Sequence, residues 1–166
     1  MKRIVFTRPD GGISVVEPQI HLGDPEDFTE DQAIERSMRL LPQDAIDPHV
    51  IEEADVPQDR TYRNAWTKAE GQDFSVDMEK AREIQREALR KERDPILASL
   101  DVALMKAVEQ GDQKAIADIA TRKQALRDVT DDAALEQAQT PEDLKALTLD
   151  VLAPVELAAD QVKKSP

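Results

Sequence analysis

The sequence has no cysteine, and only 3% of its 166 residues are aromatic. The missing cysteines exclude disulfide bonds and thiolate metal sites. With so few aromatic side chains, any core must be modest and built from Leu, Ile, Val and Ala. No apolar run approaches the ~18 residues of a membrane-spanning helix. The apolar run before Arg8 is too short for a signal peptide, so we expect a soluble protein made in the cytoplasm.

Basic side chains are also scarce in the N-terminal and C-terminal parts of the chain. The net charge is -13, but residues 1–60 carry 6 basic and 14 acidic side chains, residues 77–129 carry 11 of each, and residues 130–166 carry 3 and 8. Nucleic-acid binding needs a cationic footprint that displaces counterions, and an anionic membrane surface needs basic clusters. The segment counts show neither, so we expect no nucleic-acid and no membrane partner.

The N-terminal third predicts a small α+β module. Two β-rich runs, residues 3–7 and 13–16, flank RPDGG, in which Asp and Gly tolerate the positive φ of a tight reversal. Thr29 and Gln32 match a capping box at the start of a helix. Residues 49–53 predict a third strand.

Tyr62 and Trp66 are the only tyrosine and tryptophan. Their placement in a loop-like segment has two interpretations. They fill the junction between the module and the helices, which we favour, or they form a docking epitope for a partner, since such residues dominate interface energetics.

The stretch from residue 77 predicts a long helix, and eleven of its first 17 residues are charged. A thin apolar stripe runs along it at Met78, Ala81, Ile84 and Ala88, flanked by rows of Glu and Arg. The stripe is too narrow for burial in a globule but suits a coiled-coil seam with another chain. The alternative is that the N-terminal module covers the stripe within one chain. Pro95 removes a helical hydrogen bond, so we expect a kink or break just before it.

Beyond Pro95, a broader apolar stripe over residues 96–108 predicts packing against a return helix over residues 116–126. Gly111 would stop the first helix, and Asp112 would cap the second. The C-terminal part predicts one short helix at residues 131–137 and another that starts at the Thr140 cap and reaches Leu152. Residues 155–166 have weak helical character.

The predicted fold class is therefore α+β, mostly α. The chain divides into a docking module (1–58), an aromatic junction with a short extended segment (59–76), a long kinked helix with a helical hairpin (77–129), and short acidic C-terminal helices with a tail (130–166).

Residues with catalytic or metal-binding chemistry form no recognisable motif. His21 and His49 are isolated, and the sequence contains no metalloprotease, hydrolase or phosphate-loop pattern. The acidic residues 24–31 lack the alternation of a calcium loop, and acids ahead of a helix are already favoured by its dipole. We expect no enzyme activity, cofactor or metal.

Five strings carry a family resemblance: VFTRPDGGISVV, DRTYRNAWT, VDMEKAREIQREALR, ATRKQALRDVT and TPEDLKAL. In this order the chain resembles small tail-associated proteins of tailed phages and prophages, over most of residues 1–150 except residues 17–47. The resemblance implies a non-enzymatic structural or adaptor role near the tail tip or fibres, in the virion. It implies other tail proteins as partners. From the apolar stripe on the long helix we also expect the chain to self-associate. The alternative is a tail or tail-fibre assembly chaperone that leaves the particle.

Overall fold

The computed structural model describes residues 1–153. The fold is 54% helix and 18% strand, so the predicted α+β, mostly α class is confirmed. The chain divides into two compact units, Met1–Ala81 and Arg82–Pro166. Within the described residues, all the strands lie in the first unit, whereas the second unit is helical.

The first unit contains a three-stranded antiparallel sheet in the order β2–β1–β3. Strand β1 spans Lys2–Thr7, β2 spans Ile13–Val16 and β3 spans Ile46–Glu52. Gly11 has a φ of 79°, the left-handed conformation that glycine adopts without strain. Its N–H donates to the Arg8 carbonyl at 2.9 Å and closes the β1–β2 turn. The predicted hairpin and third strand are both present.

Helix α1 (Glu30–Arg39) begins at the predicted capping box. The Gln32 N–H donates to Thr29 Oγ1 at 3.3 Å, and the Thr29 N–H donates to the Gln32 side-chain oxygen at 2.8 Å. Two backbone donors that the helix itself cannot pair are thereby satisfied. Ala33 and Ile34 are buried on the inner face, which anchors α1 beside β1.

A second hairpin joins β4 (Trp66–Ala69) to β5 (Gln72–Val76). The sequence indicated only a short extended segment within residues 59–76. Gly71 makes the turn with a φ of 74°, and the Trp66 and Phe74 rings meet edge to face with centroids 5.1 Å apart. The buried cluster of this unit takes one side chain from each of several segments: Val5, Ile13, Val56 and Trp66.

The helical hairpin consists of α2 (Met78–Gln110) and α3 (Gln113–Asp128). Gly111 ends α2 with a φ of 68°. Asp112 then caps α3, because its carboxylate accepts the Ala115 N–H at 3.0 Å. The predicted helix stop and cap are confirmed.

Helices α2 and α3 are antiparallel. Arg93 donates to the Arg127 carbonyl at 3.2 Å, and further along α2 Asp101 forms an ion pair with Lys123, which lies earlier in α3. The break expected near Pro95 is absent, because α2 continues through this residue without interruption. The expected kink stays a prediction. A proline removes one backbone donor, and contacts with α3 are made on both sides of it, through Arg93 and Asp101.

Three short helices end the described part of the chain: α4 (Ala133–Gln137), α5 (Pro141–Ala146) and α6 (Leu149–Leu152). The predicted cap at Thr140 is confirmed, but the helix from there to Leu152 is divided. The backbone leaves the helical conformation at Leu147, whose carbonyl accepts the Gln85 side-chain amide at 2.9 Å. The expectation for residues 155–166 lies outside the described residues. None of the helices within residues 1–153 is long and apolar enough to cross a bilayer.

Candidate functional site

Tyr62 and Trp66 are buried in the first unit, at 4% and 7% exposure. Trp66 belongs to the hydrophobic cluster described above, so its ring is committed to packing. Burial, with a smaller contribution from the Asp59 carboxylate, raises the pKa of Tyr62 to about 12. In the isolated chain both aromatic residues therefore stabilise the unit, and little of either ring is free to contact a partner.

The four residues of the predicted stripe differ in exposure. Ala81 is fully buried, Met78 and Ile84 are half-buried, and Ala88 is exposed. The buried row of α2 continues instead through Gln85 to Leu89, which is 1% exposed. The stripe is thus not a continuous exposed seam, and a role for it in contacts with another chain stays a prediction.

In the second unit, polar side chains of α2 bind backbone carbonyls of the segment that follows α3. Arg82 donates to the carbonyls of Leu135 and Ala138, at 3.0 Å each. Arg86 donates to the Thr130 carbonyl at 3.3 Å. The chain therefore covers this face of α2 with its own C-terminal helices.

The distal half of α2 carries a row of exposed apolar side chains. Val102, Met105 and Val108 are 54%, 65% and 59% exposed. The opposite face of this half packs toward α3, where Ala107 and Leu126 are buried. We name Val102, Met105 and Val108 the distal apolar row. A helix face of this kind is typical of a protein contact surface.

A cavity of about 270 Å³ opens in the first unit, and four arginines line it: Arg3, Arg8, Arg60 and Arg63. The segment charge counts gave no indication of this cluster, because the four residues are spread over two distant stretches of an acidic chain. Arg3 and Arg8 lie in and just after the first β-rich run, and DRTYRNAWT contains Arg60 and Arg63, but only the fold brings the two pairs together. The sequence alone does not predict this site.

No set of three or more His, Cys, Asp or Glu side chains within residues 1–153 could hold a metal ion. His49 lies between the Asp73 carboxylate and the Asp47 carbonyl, at 2.9 Å from each. In the acidic loop before α1, the Arg36 guanidinium and then the His21 N–H hold the pKa of Asp24 below its usual range. This carboxylate therefore stabilises the loop.

Comparison with known proteins adds no relative: no family model, no curated protein and no solved structure matches this chain.

Proposed function

We propose that the chain is a non-enzymatic structural or adaptor protein of a phage tail, near the tip or the fibre attachment, and that it acts through contacts with other tail proteins. The ordered strings that resemble small tail-associated proteins support the tail role. The distal apolar row carries the proposal of a contact role. Three large apolar side chains, each more than half exposed, lie three residues apart along one helix.

Burial of the distal apolar row would stabilise an assembly moderately. Complete burial of one such side chain contributes ~1.5–3 kcal/mol, and Val102, Met105 and Val108 are already partly covered. We therefore expect roughly 1 kcal/mol from each side chain. This is too little for a tight isolated complex, but contacts repeated over several copies in a tail would add through avidity.

Mass spectrometry of purified particles tests the tail role. A structural component is present in a fixed ratio to the other tail proteins. Absence from mature particles, with presence in assembly intermediates, would replace this proposal with the assembly chaperone.

A substitution in the distal apolar row tests the contact surface. Met105→Lys places a charge at the centre of the row and should lower incorporation into particles while leaving the melting temperature unchanged, because Met105 is 65% exposed. Gln110→Lys adds the same charge at an exposed position of the same helix and should incorporate normally. Equal incorporation of both variants would show that the row makes no contact in the particle.

A further inference from the structure

We infer that the arginine-lined cavity of the first unit binds an acidic peptide segment of a partner protein. The inference rests on the proposed function in taking the ligand to be part of a protein. Four of the nine lysine and arginine side chains in residues 1–81 line this one cavity, although the same residues carry 18 acidic side chains. Four guanidinium groups and one carboxylate, that of Glu17, line the cavity, so it is a cationic site in an acidic unit.

Two of the arginines are held in place by the unit itself. Arg3 is 8% exposed and lies 2.8 Å from the Glu53 carboxylate and 3.2 Å from Glu17. Its charge is neutralised, so it forms a structural wall of the cavity. Arg8 donates through Nε to Asp10 at 3.2 Å and through Nη1 to the Ile13 carbonyl at 3.0 Å.

Gly12 leaves the room that the Arg8 guanidinium occupies. A Cβ at position 12 would collide with Arg8 Nη2, the guanidinium nitrogen that makes no hydrogen bond within residues 1–153. Arg8 is therefore preorganised by its contacts and still has a donor to offer. A preorganised donor binds a ligand without a further ordering cost.

The other two arginines supply the free charge. The guanidinium groups of Arg60 and Arg63 form no ion pair or side-chain hydrogen bond in the part of the chain that the structure describes, and both residues are exposed at the cavity. A guanidinium offers donors in a planar fork that matches a carboxylate or a phosphate group. The two unpaired guanidinium groups, together with Arg8, fit two neighbouring anionic groups.

The size of the cavity favours carboxylate side chains of a peptide over a phosphate polymer. Of the apolar side chains that line it, Ile13 and Trp66 are 4% and 7% exposed, and Val15 is half-buried. The methylene groups of a glutamate can pack on Val15 while the carboxylate meets a guanidinium. A nucleic acid would instead need a longer cationic track, and the volume of about 270 Å³ admits only a few side chains.

The test titrates the full chain with a short peptide of glutamate and leucine residues and measures the fluorescence of Trp66. Because Trp66 is the only tryptophan, a change in emission reports on this cavity. We expect a saturable change in emission, and the affinity for the peptide should fall as NaCl is added. The same peptide with glutamine in place of glutamate is the neutral control, and inorganic phosphate and a single-stranded oligonucleotide are separate arms.

Arg60→Ala and Arg63→Ala should each weaken peptide binding roughly tenfold, since each removes a charged donor. Arg39→Ala is the matched control, because it removes the same charge from an exposed side chain outside the cavity. It should leave binding within about twofold. Thermal melts of the three variants should agree with the wild type.

Several results would overturn the inference: no saturable change with the acidic peptide, equal binding of the glutamine peptide, equal weakening by Arg39→Ala, or tighter binding of phosphate or the oligonucleotide. Particle composition is a separate measurement. If the protein is a stoichiometric tail component but does not bind the peptide, this inference alone is overturned. A protein that binds the peptide through Arg60 and Arg63 but is absent from tails and tail intermediates would overturn the tail role alone.

Discussion

Replacement of Arg82 tests whether α2 holds the C-terminal helices through their backbone carbonyls. The Arg82 side chain is only 18% exposed. Its Nε donates to the Leu135 carbonyl and its Nη2 to the Ala138 carbonyl, at 3.0 Å each. Both carbonyls lie near the C-terminal end of α4, where a helix runs out of its own donors. Arg82 therefore caps α4 from a neighbouring helix.

The two hydrogen bonds set the expected magnitude. A hydrogen bond from a charged donor contributes ~1.5–3 kcal/mol, and the carbonyls freed by truncation regain water in part. We therefore expect Arg82→Ala to lower the free energy of unfolding by about 2–3 kcal/mol. Arg82→Lys keeps the charge but loses the planar fork that reaches both carbonyls, so it should cost about half as much.

Arg90→Ala is the matched control in the same helix. Arg90 is more exposed and lies 3.7 Å from Glu87 in a surface ion pair, whose loss costs less than ~0.5 kcal/mol. Urea unfolding followed by far-ultraviolet circular dichroism measures the helical second unit, while Trp66 fluorescence follows the first unit. If Arg82→Ala matches Arg90→Ala in unfolding midpoint, the carbonyl contacts do not hold the C-terminal helices.

Tyr62 and Ile84 provide two further tests. Folding raises the pKa of Tyr62 to about 12, so its stabilising contribution is complete below the unfolded value of about 10 and is lost as the pH rises through both values. Phenolate absorbance, which only Tyr62 can give, should appear near pH 12, and a native titration near pH 10 would contradict this. Ile84→Asp should convert an oligomer to monomers on light scattering, while the hairpin from Ile96 to Leu126 stays folded in thermal melts. A monomeric wild type that the same substitution destabilises would show that the chain itself covers Ile84.

The sequence predicted the features that depend on a few neighbouring residues. The caps at Thr29, Asp112 and Thr140 are all present. Each requires one short side chain to reach an N–H two or three positions away, so distant packing hardly affects it. The glycine-containing reversals at Gly11 and Gly111 follow for the same reason, since a left-handed backbone conformation is a local requirement.

The division of the last predicted helix shows where local patterns are insufficient. Residues 140–152 carry a good cap and suitable spacing, yet α5 ends before Leu147. The Leu147 carbonyl accepts from Gln85, a residue 62 positions earlier. A hydrogen bond over that separation leaves no trace in the periodicity of either segment. The sequence therefore does not show that the helix predicted over residues 140–152 is divided.

The arginine rows of α2 explain why the predicted apolar stripe does not coincide with the row of residues that is buried. The rows of Glu and Arg beside the stripe indicated polar flanks. In the structure the Arg82 and Arg86 side chains are each 18% exposed and bind backbone carbonyls. An arginine can cover apolar surface with its methylene stem while its guanidinium finds acceptors. Charged residues in a sequence therefore show only that the ends of their side chains are polar. They do not show that the helix face is exposed.

The same limit applies to the cationic cavity. Counts of charge by segment correctly disfavour a long cationic track, because residues 1–60 hold 14 acidic side chains against 6 basic ones. They cannot disfavour a local site, since Arg8 and Arg63 belong to segments that only the fold brings together. Over the width of one cavity, the position of each guanidinium outweighs the net charge of the unit, because salt screens exposed charges beyond ~8–10 Å. An acidic chain can thus bind an acidic ligand, and peptide binding that weakens in Arg60→Ala but not in Arg39→Ala would separate local position from net charge.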